Sequence, residues 1–190
     1  MLNFIKLLKK RRMDQLLIRQ NLKDKVYLDI ANNIAKLSKD EQTKIGCVIV
    51  GKDGSPVSWG YNGTIAGFDD EYIPHNREEK ILKYYEGSNT VSFKSNKYPF
   101  MAHAEKNALH FAPDNKSEGA TLYLTKPPCE DCALDIVKNK IARVVVENNT
   151  PTDKNSTIGN NEHIVKFLFS QAGIQYVING EYVFLRKYYE

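Results

Sequence analysis

Cysteine is scarce in this 190-residue chain, with three in all, and tryptophan occurs once. Three cysteines cannot pair off among themselves, and a chain of this size buries enough surface to fold without disulfide staples. A reducing, cytoplasmic setting is therefore expected. No apolar run approaches the roughly 18 residues that a membrane helix needs. The apolar stretch from Leu2 to Leu8 is interrupted by Lys6 and has no small-residue cleavage site, which argues against a secretory leader. Acidic residues are missing from the first thirteen positions, where Lys6, Lys9, Lys10, Arg11 and Arg12 all lie. Setting those five aside leaves 22 of the 27 basic residues against 23 acidic ones. The formal charge of +4 thus belongs to the N-terminus, and the rest of the chain is nearly neutral. A polyanion binder carries its excess charge on the fold itself, so nucleic acid is not an expected partner.

What is present is ordinary globular composition, 42% hydrophobic and 26% charged. Residues 1–12 are expected to form a basic, frayed extension, 13–180 the folded domain, and 181–190 a tail. From Asp14 to Leu37 the apolar spacing is helical, with Tyr27, Ile30, Ala31, Ile34 and Leu37 on one face. KIGCVIVG is apolar on both alternating sets, as in a central strand covered on both sides. Lys52-Asp53-Gly54 is a turn signal, and PVSWGY returns as a second strand. Residues 61–99 show no strand pattern, only a helical hint near 77–85, and are read as an insertion or lid. Beyond it come a helix in MAHAEKNALHFA, the strand TLYLT, a helix in CEDCALDIVKNK and the strand RVVV. A polar loop at 148–160, a helix from Asn161 to Ala172 capped by Gly173, and the strand IQYVI complete the alternation. The fold class is α/β, three layers, with a mixed central sheet of about five strands flanked by helices.

Three segments carry chemistry: His103-Ala104-Glu105, Pro128-Cys129 and, three residues on, Cys132. Residues at i and i+3 share a helix face with Cβ atoms about 5–6 Å apart, within reach of two tetrahedral Zn–S bonds. Both cysteines fall in a helix's first turn, where the dipole favours thiolate. His103 supplies a nitrogen from across the site. Three protein ligands leave one position open, the mark of a catalytic zinc rather than a structural one. Glu105 is then the proton carrier. A lone CxxC or a lone HAE carries little weight. Their combination in this order matches the H-x-E…P-C-x-x-C signature of zinc deaminases.

With TKIGCVIV (43–50), GYNG (60–63), HAEKNAL (103–109) and PPCEDCA (127–133), the chain resembles the cytidine deaminase superfamily and, within it, the deoxycytidylate (dCMP) deaminase family. The likeness spans about residues 24–178. It implies a cytidine-deaminase-like fold and hydrolysis of dCMP to dUMP, which supplies the dTMP precursor, with dCTP or 5-substituted dCMP as further substrates. It implies a zinc-activated water attacking C4 while Glu105 moves the proton to N3 and to the departing amine. The N–H of Ala104 and carbonyls near Thr125, Lys126 and Pro127 would hold the pyrimidine edge, Asn62 the sugar, and Asn107 would lie beside the substrate. Lys126, Arg77, Lys80, Lys83, Lys94 and Lys97 are candidate phosphate or effector contacts. Relatives are typically hexamers regulated by dCTP and dTTP, and Asp69-Asp70-Glu71 is a candidate for Mg2+ carried by a dCTP effector. Only Cys47 and His75 remain for the second zinc of some phage members, so none is expected; Cys47 reads as a buried strand residue. His110 lies about 10 Å along the helix from His103, too far for the same metal. Two other readings are weighed: a polynucleotide deaminase acting on adenosine in tRNA, and a non-catalytic zinc nucleotide sensor. Abundant asparagine and isoleucine suit an AT-rich genome such as a phage's, which would make the compartment the host cytoplasm.

Overall fold

The computed structural model describes residues 2–65, 67–69, 71–147 and 161–183. The polar loop at 148–160, Asp70 of the acidic cluster and residues 184–190 of the expected tail lie outside the described residues.

β1 (Gly46–Val50) is buried at every position, as its two-sided apolar sequence requires. It pairs antiparallel with β2 (Pro56–Tyr61) through the Lys52-Asp53-Gly54 turn. Its other edge pairs antiparallel with β7 (Thr121–Leu124), which runs parallel to β8 (Arg143–Val146), itself parallel to β9 (Gln175–Ile178). The mixed sheet has six strands, ordered β10-β9-β8-β7-β1-β2. The sixth, β10 (Glu181–Val183), lies where a tail was expected. Its signal was the Asn179-Gly180 dipeptide, whose φ values of 50° and 80° suit a tight hairpin turn.

Alternation along the strands divides the core in two. Cys47, Ile49, Leu122, Leu124, Val144 and Val146 face three helices: α2 (Ala104–His110), α3 (Glu130–Lys138) and α4 (Glu162–Ala172). Val48, Val50, Tyr123, Val145 and Val177 face α1 (Leu2–Ala35) alone. The three layers are those expected. α4 ends at Gly173, whose φ of 71° is the left-handed cap that the sequence placed there.

α1 corrects two expectations. Residues 2–12, read as frayed, continue the helix back to Leu2. Ile30 and Leu37, read as inward, are 41% and 53% exposed, whereas Leu28, Ala31 and Ala35 are buried. The small residues lie innermost because α1 passes close over β1. A Cβ placed on Gly46 would meet the carbonyl oxygen of Ala31 and lie 2.8 Å from the amide of Ala35. Asp24 anchors the helix to the sheet. It takes a fork of bonds from Arg143 (2.7 and 2.6 Å) and another from the Tyr123 hydroxyl (3.1 Å).

The insertion is not helical near 77–85. β4 (Lys80–Glu86) and β5 (Asn89–Ser95) pair as a hairpin across Gly87-Ser88, with Gly87 at φ 61°. Its aromatic and β-branched residues (Tyr84, Val91 and Phe93 among them) suit a strand better than a helix. The segment then returns through a single 3-10 turn at Tyr98–Phe100 to β6 (Met101–Ala102), which pairs with β3 (Gly63–Thr64).

Candidate active site

Two helix starts converge on one face of the sheet. His103 is the N-cap of α2 and Cys129 the N-cap of α3, both with extended backbone, and Cys132 sits in the first turn of α3. The placement follows from sequence: β6 feeds directly into His103, and Pro127-Pro128 end the excursion after β7 and start α3.

The donor atoms of His103, Cys129 and Cys132 all lie within 4.8 Å of one another. His103 Nδ1 is 3.3 Å from the Cys132 sulfur and 3.5 Å from that of Cys129. A tetrahedral zinc with ordinary Zn–S and Zn–N lengths separates such atoms by about 3.6 Å. Both nitrogen-to-sulfur distances lie close to that value, so the triangle is sized for one zinc ion, and its borderline-soft N,S,S donor set suits zinc over a hard cation. Cys132 is buried, Cys129 partly so, and His103 is exposed, so the triangle opens on one side.

Charge within the triangle favours a metal. A hydrogen bond from the Cys132 thiol, with another from the His103 ring, holds the Cys129 thiol well below its usual range despite partial burial. The same bond and burial push Cys132 up. His103 is raised by its bond to Cys129. Glu105, 4% exposed, is pushed up by burial, which outweighs the opposing pull of its own backbone amide and His103. A buried carboxyl beside two thiols and an imidazole, with its affinity for a proton raised, is equipped to carry one. Cys47 lies fully buried in β1, where burial and the charge of Glu105 push its thiol up; it behaves as a core residue, as expected.

The remaining candidates fall into two groups. Ala104 is buried in the first turn of α2, one residue after His103, where its N–H has no acceptor within the helix. Thr125, Lys126 and Pro127 form the link from β7 to Cys129, but the Thr125 hydroxyl accepts a bond from the Gly46 amide at 3.1 Å. Asn107 donates from its side chain to the Tyr61 carbonyl (2.8 Å), tying α2 to the end of β2. Asn62 is more heavily committed. Its Oδ1 accepts from the Ile45 amide (2.7 Å), and its Nδ2 donates to the Thr43 carbonyl (2.8 Å) and to Asp40 (3.4 Å). That leaves one lone pair of Oδ1 for a ligand. Lys97 is corrected outright: it is 3% exposed and spans both carboxylate oxygens of Asp40, so it is not a phosphate contact. Lys80 donates to the Glu71 carbonyl. His110 packs edge-on against Phe111, away from the triangle.

Sequence reasoning missed the glycine of GYNG as a packing residue. A Cβ on Gly60 would meet the Ala104 carbonyl, lie 2.5 Å from the Ala108 amide and 2.9 Å from the Asn107 Cβ. The edge strand β2 touches α2 there, backbone to backbone, and Ser58 adds a bond to the Ala108 carbonyl (2.7 Å). The helix that carries Glu105 is thus seated on Gly60.

Residues 22–148 match the family model described as the cytidine and deoxycytidylate deaminase zinc-binding region. The chain is 32% identical over 150 residues to the deoxycytidylate deaminase of Enterobacteria phage T4, a match covering 65% of this chain and 77% of that protein. It is 33% identical over 118 residues to a probable deoxycytidylate deaminase of Caenorhabditis elegans, covering 62% of this chain and 53% of that protein. The match thus spans about half the length of the nematode relative. Among solved structures, the dCMP deaminase of cyanophage S-TIM5 in complex with dCMP and dUMP superposes with a TM-score of 0.54 at 22% identity, covering 81% of this chain and 94% of that one.

Proposed function

The chain belongs to the cytidine and deoxycytidylate deaminase zinc-binding family, and from that premise we propose that it hydrolyses dCMP to dUMP and ammonia at a zinc ion held by His103, Cys129 and Cys132. The observation that carries the reading is the triangle itself: three donors spaced for one tetrahedral ion, with a buried carboxyl beside them and no fourth protein ligand among the described residues. Zinc bound there supplies a water whose proton is lost near neutral pH.

Glu105 does the proton work. It takes the proton from the attacking water and delivers it to N3 of the ring, then takes the second proton from the hydroxyl now on C4 and gives it to the exocyclic amine, so that ammonia departs as the C4 carbonyl forms. Burial suits it to this role, because it raises the carboxyl's affinity for a proton and so helps it to accept one before passing it on. The Ala104 N–H, without an acceptor in its own helix, would hold the pyrimidine carbonyl, together with backbone groups of Thr125, Lys126 and Pro127. Asn107 positions α2 beside the substrate, and Asn62 offers its remaining lone pair to a sugar hydroxyl.

The reading extends to the monophosphate as preferred substrate, with dCTP and 5-substituted dCMP as wider possibilities, and to dCTP and dTTP as effectors, the former with Mg2+. It includes a homo-oligomer, a hexamer. An apolar groove of about 1380 Å3 along the edge strand β2 supports assembly, with Trp59 50% and Phe111 68% exposed at its walls. A cytoplasmic location fits three free thiols, and among the described residues no helix is long and apolar enough to cross a membrane.

The test is the fall in ultraviolet absorbance on deamination, followed for dCMP, dCTP, CMP and deoxycytidine in parallel. Turnover of dCMP well above the other three is expected. Silence on all four from zinc-loaded protein would overturn the reading in favour of a polymer substrate or a sensor.

A further inference from the structure

Among the described residues, the most heavily buried charges besides Glu105 are Asp40 and Lys97, 4% and 3% exposed. They are 57 residues apart, in two segments with no regular structure, and Lys97 Nζ lies 2.8 and 2.7 Å from the two carboxylate oxygens of Asp40. Each end organises its own surroundings. Asp40 Oδ1 also accepts from the amides of Gln42 (2.9 Å) and Thr43 (3.0 Å), folding the link between α1 and β1 into a turn. Its other oxygen faces Asn62, whose amide group spans Thr43 and Ile45. Lys97 sits at the start of the 3-10 turn that leads into β6, with its amide donating to the Asn76 carbonyl (3.2 Å) and its carbonyl accepting from Phe100 (3.0 Å).

These contacts close a ring. From Asp40 it passes through Asn62 to β3, across the Gly63–Ala102 and Thr64–Met101 pairs to β6, and back by way of Lys97 to Asp40. Both exits from the ring lead to the site. One residue beyond Ala102 is His103. One residue beyond Ile45 is Gly46, which exchanges bonds with Thr125 in both directions. A buried ion pair is a poor source of stability, since apolar residues of similar volume serve as well. Its distinctive property is geometry: it fixes two segments distant in sequence in a single register.

Resting on the deaminase reading above, we propose that Asp40 and Lys97 are positioning residues for nucleotide binding, a buried clasp that holds Asn62 and the β3–β6 pair as one wall of the pocket. The clasp acts first on the wall; it meets the triangle only at the step from Ala102 to His103, while Cys129, Cys132 and Glu105 are carried by α3 and α2.

The experiment compares the full-length protein with Lys97→Met and with the double variant Asp40→Asn/Lys97→Met. The double variant removes both charges, keeps an acceptor for the Gln42 and Thr43 amides, and so folds even if the single one does not. Expected is a rise in KM for dCMP of about tenfold or more, with kcat at saturation within about threefold of the parent and zinc content unchanged. In parallel, hydrogen exchange at the Ile45 and Asn62 amides should quicken by about tenfold or more. An unchanged KM in the folded double variant would overturn the proposal, as would loss of zinc and kcat at constant KM. If the parent itself leaves dCMP untouched, the deaminase reading fails. The clasp is then judged by exchange alone, and unaltered protection of Ile45 and Asn62 would refute it too.

Discussion

Gly60→Ala adds one methyl group, far from any reacting atom in sequence, and should nonetheless slow turnover about a hundredfold. The new Cβ would stand 2.5 Å from the Ala108 amide and 2.9 Å from the Asn107 Cβ, with the Ala104 carbonyl closer still. Ordinary contact begins near 3.4 Å, so backbone must yield by about 0.9 Å at Ala108. None of these neighbours is the free end of a flexible side chain. β2 is held in the sheet by β1, so α2 is the element that moves, taking Ala104 and Glu105 with it. A misplacement of about 1 Å at a reacting centre costs on the order of 10²-fold, and overpacking costs about 1–3 kcal/mol of stability. Gly54→Ala is the control. At φ 85° it is strained by about 1 kcal/mol, yet nothing lies within 4 Å of its Cβ, so it should lose stability while keeping its rate. The assay is kcat/KM for dCMP beside urea unfolding for both variants. If Gly60→Ala turns over at the parent rate, α2 is not seated as described and the reasoning fails.

Two further predictions concern buried charges. Asp24→Asn keeps the shape of the α1 anchor but leaves the Arg143 guanidinium, with 11% of its side chain exposed, facing a neutral amide. The loss should be about 3 kcal/mol or more by urea unfolding, and a loss below about 1 kcal/mol would mean that the pair behaves as a surface salt bridge. For Asp40, burial raises the carboxyl, but the Lys97 ammonium and the Gln42 and Thr43 amides outweigh it and the net shift is downward. A carboxylate held below its unfolded value stabilises the fold above that unfolded value and loses the contribution as pH falls through the folded one. The stability gap between the parent and Asp40→Asn should therefore hold steady from neutral pH down to about 5 and shrink below about 4; a gap that widens on acidification would contradict the assignment.

Much of this was legible in residue order, for physical reasons that also explain the rest. β1, β7 and β8 announce themselves because a strand covered on both faces must be apolar at every position. The triangle is legible because metal ligation restricts both residue type and spacing, and His103, Cys129 and Cys132 satisfy both. α1 was mis-faced because the pattern weighs large apolar side chains. The approach of Ala31 to Gly46, where an added Cβ would have no room, involves residues that are small. The β4–β5 hairpin was hidden because both of its faces are largely exposed, which erases the alternation that marks a half-buried strand. The Asp40–Lys97 pair could not be read at all. Complementary charges 57 residues apart become partners only once the sheet brings their segments together.

The most direct test of the account is zinc reconstitution. Protein stripped by a chelator is titrated with zinc while dCMP turnover and bound metal are followed together, for the parent and for Glu105→Gln. The account predicts that activity returns in step with the first equivalent of zinc in the parent. The variant should bind the same equivalent through His103, Cys129 and Cys132 and remain silent. Turnover by the metal-free protein, or an active Glu105→Gln variant, would contradict it.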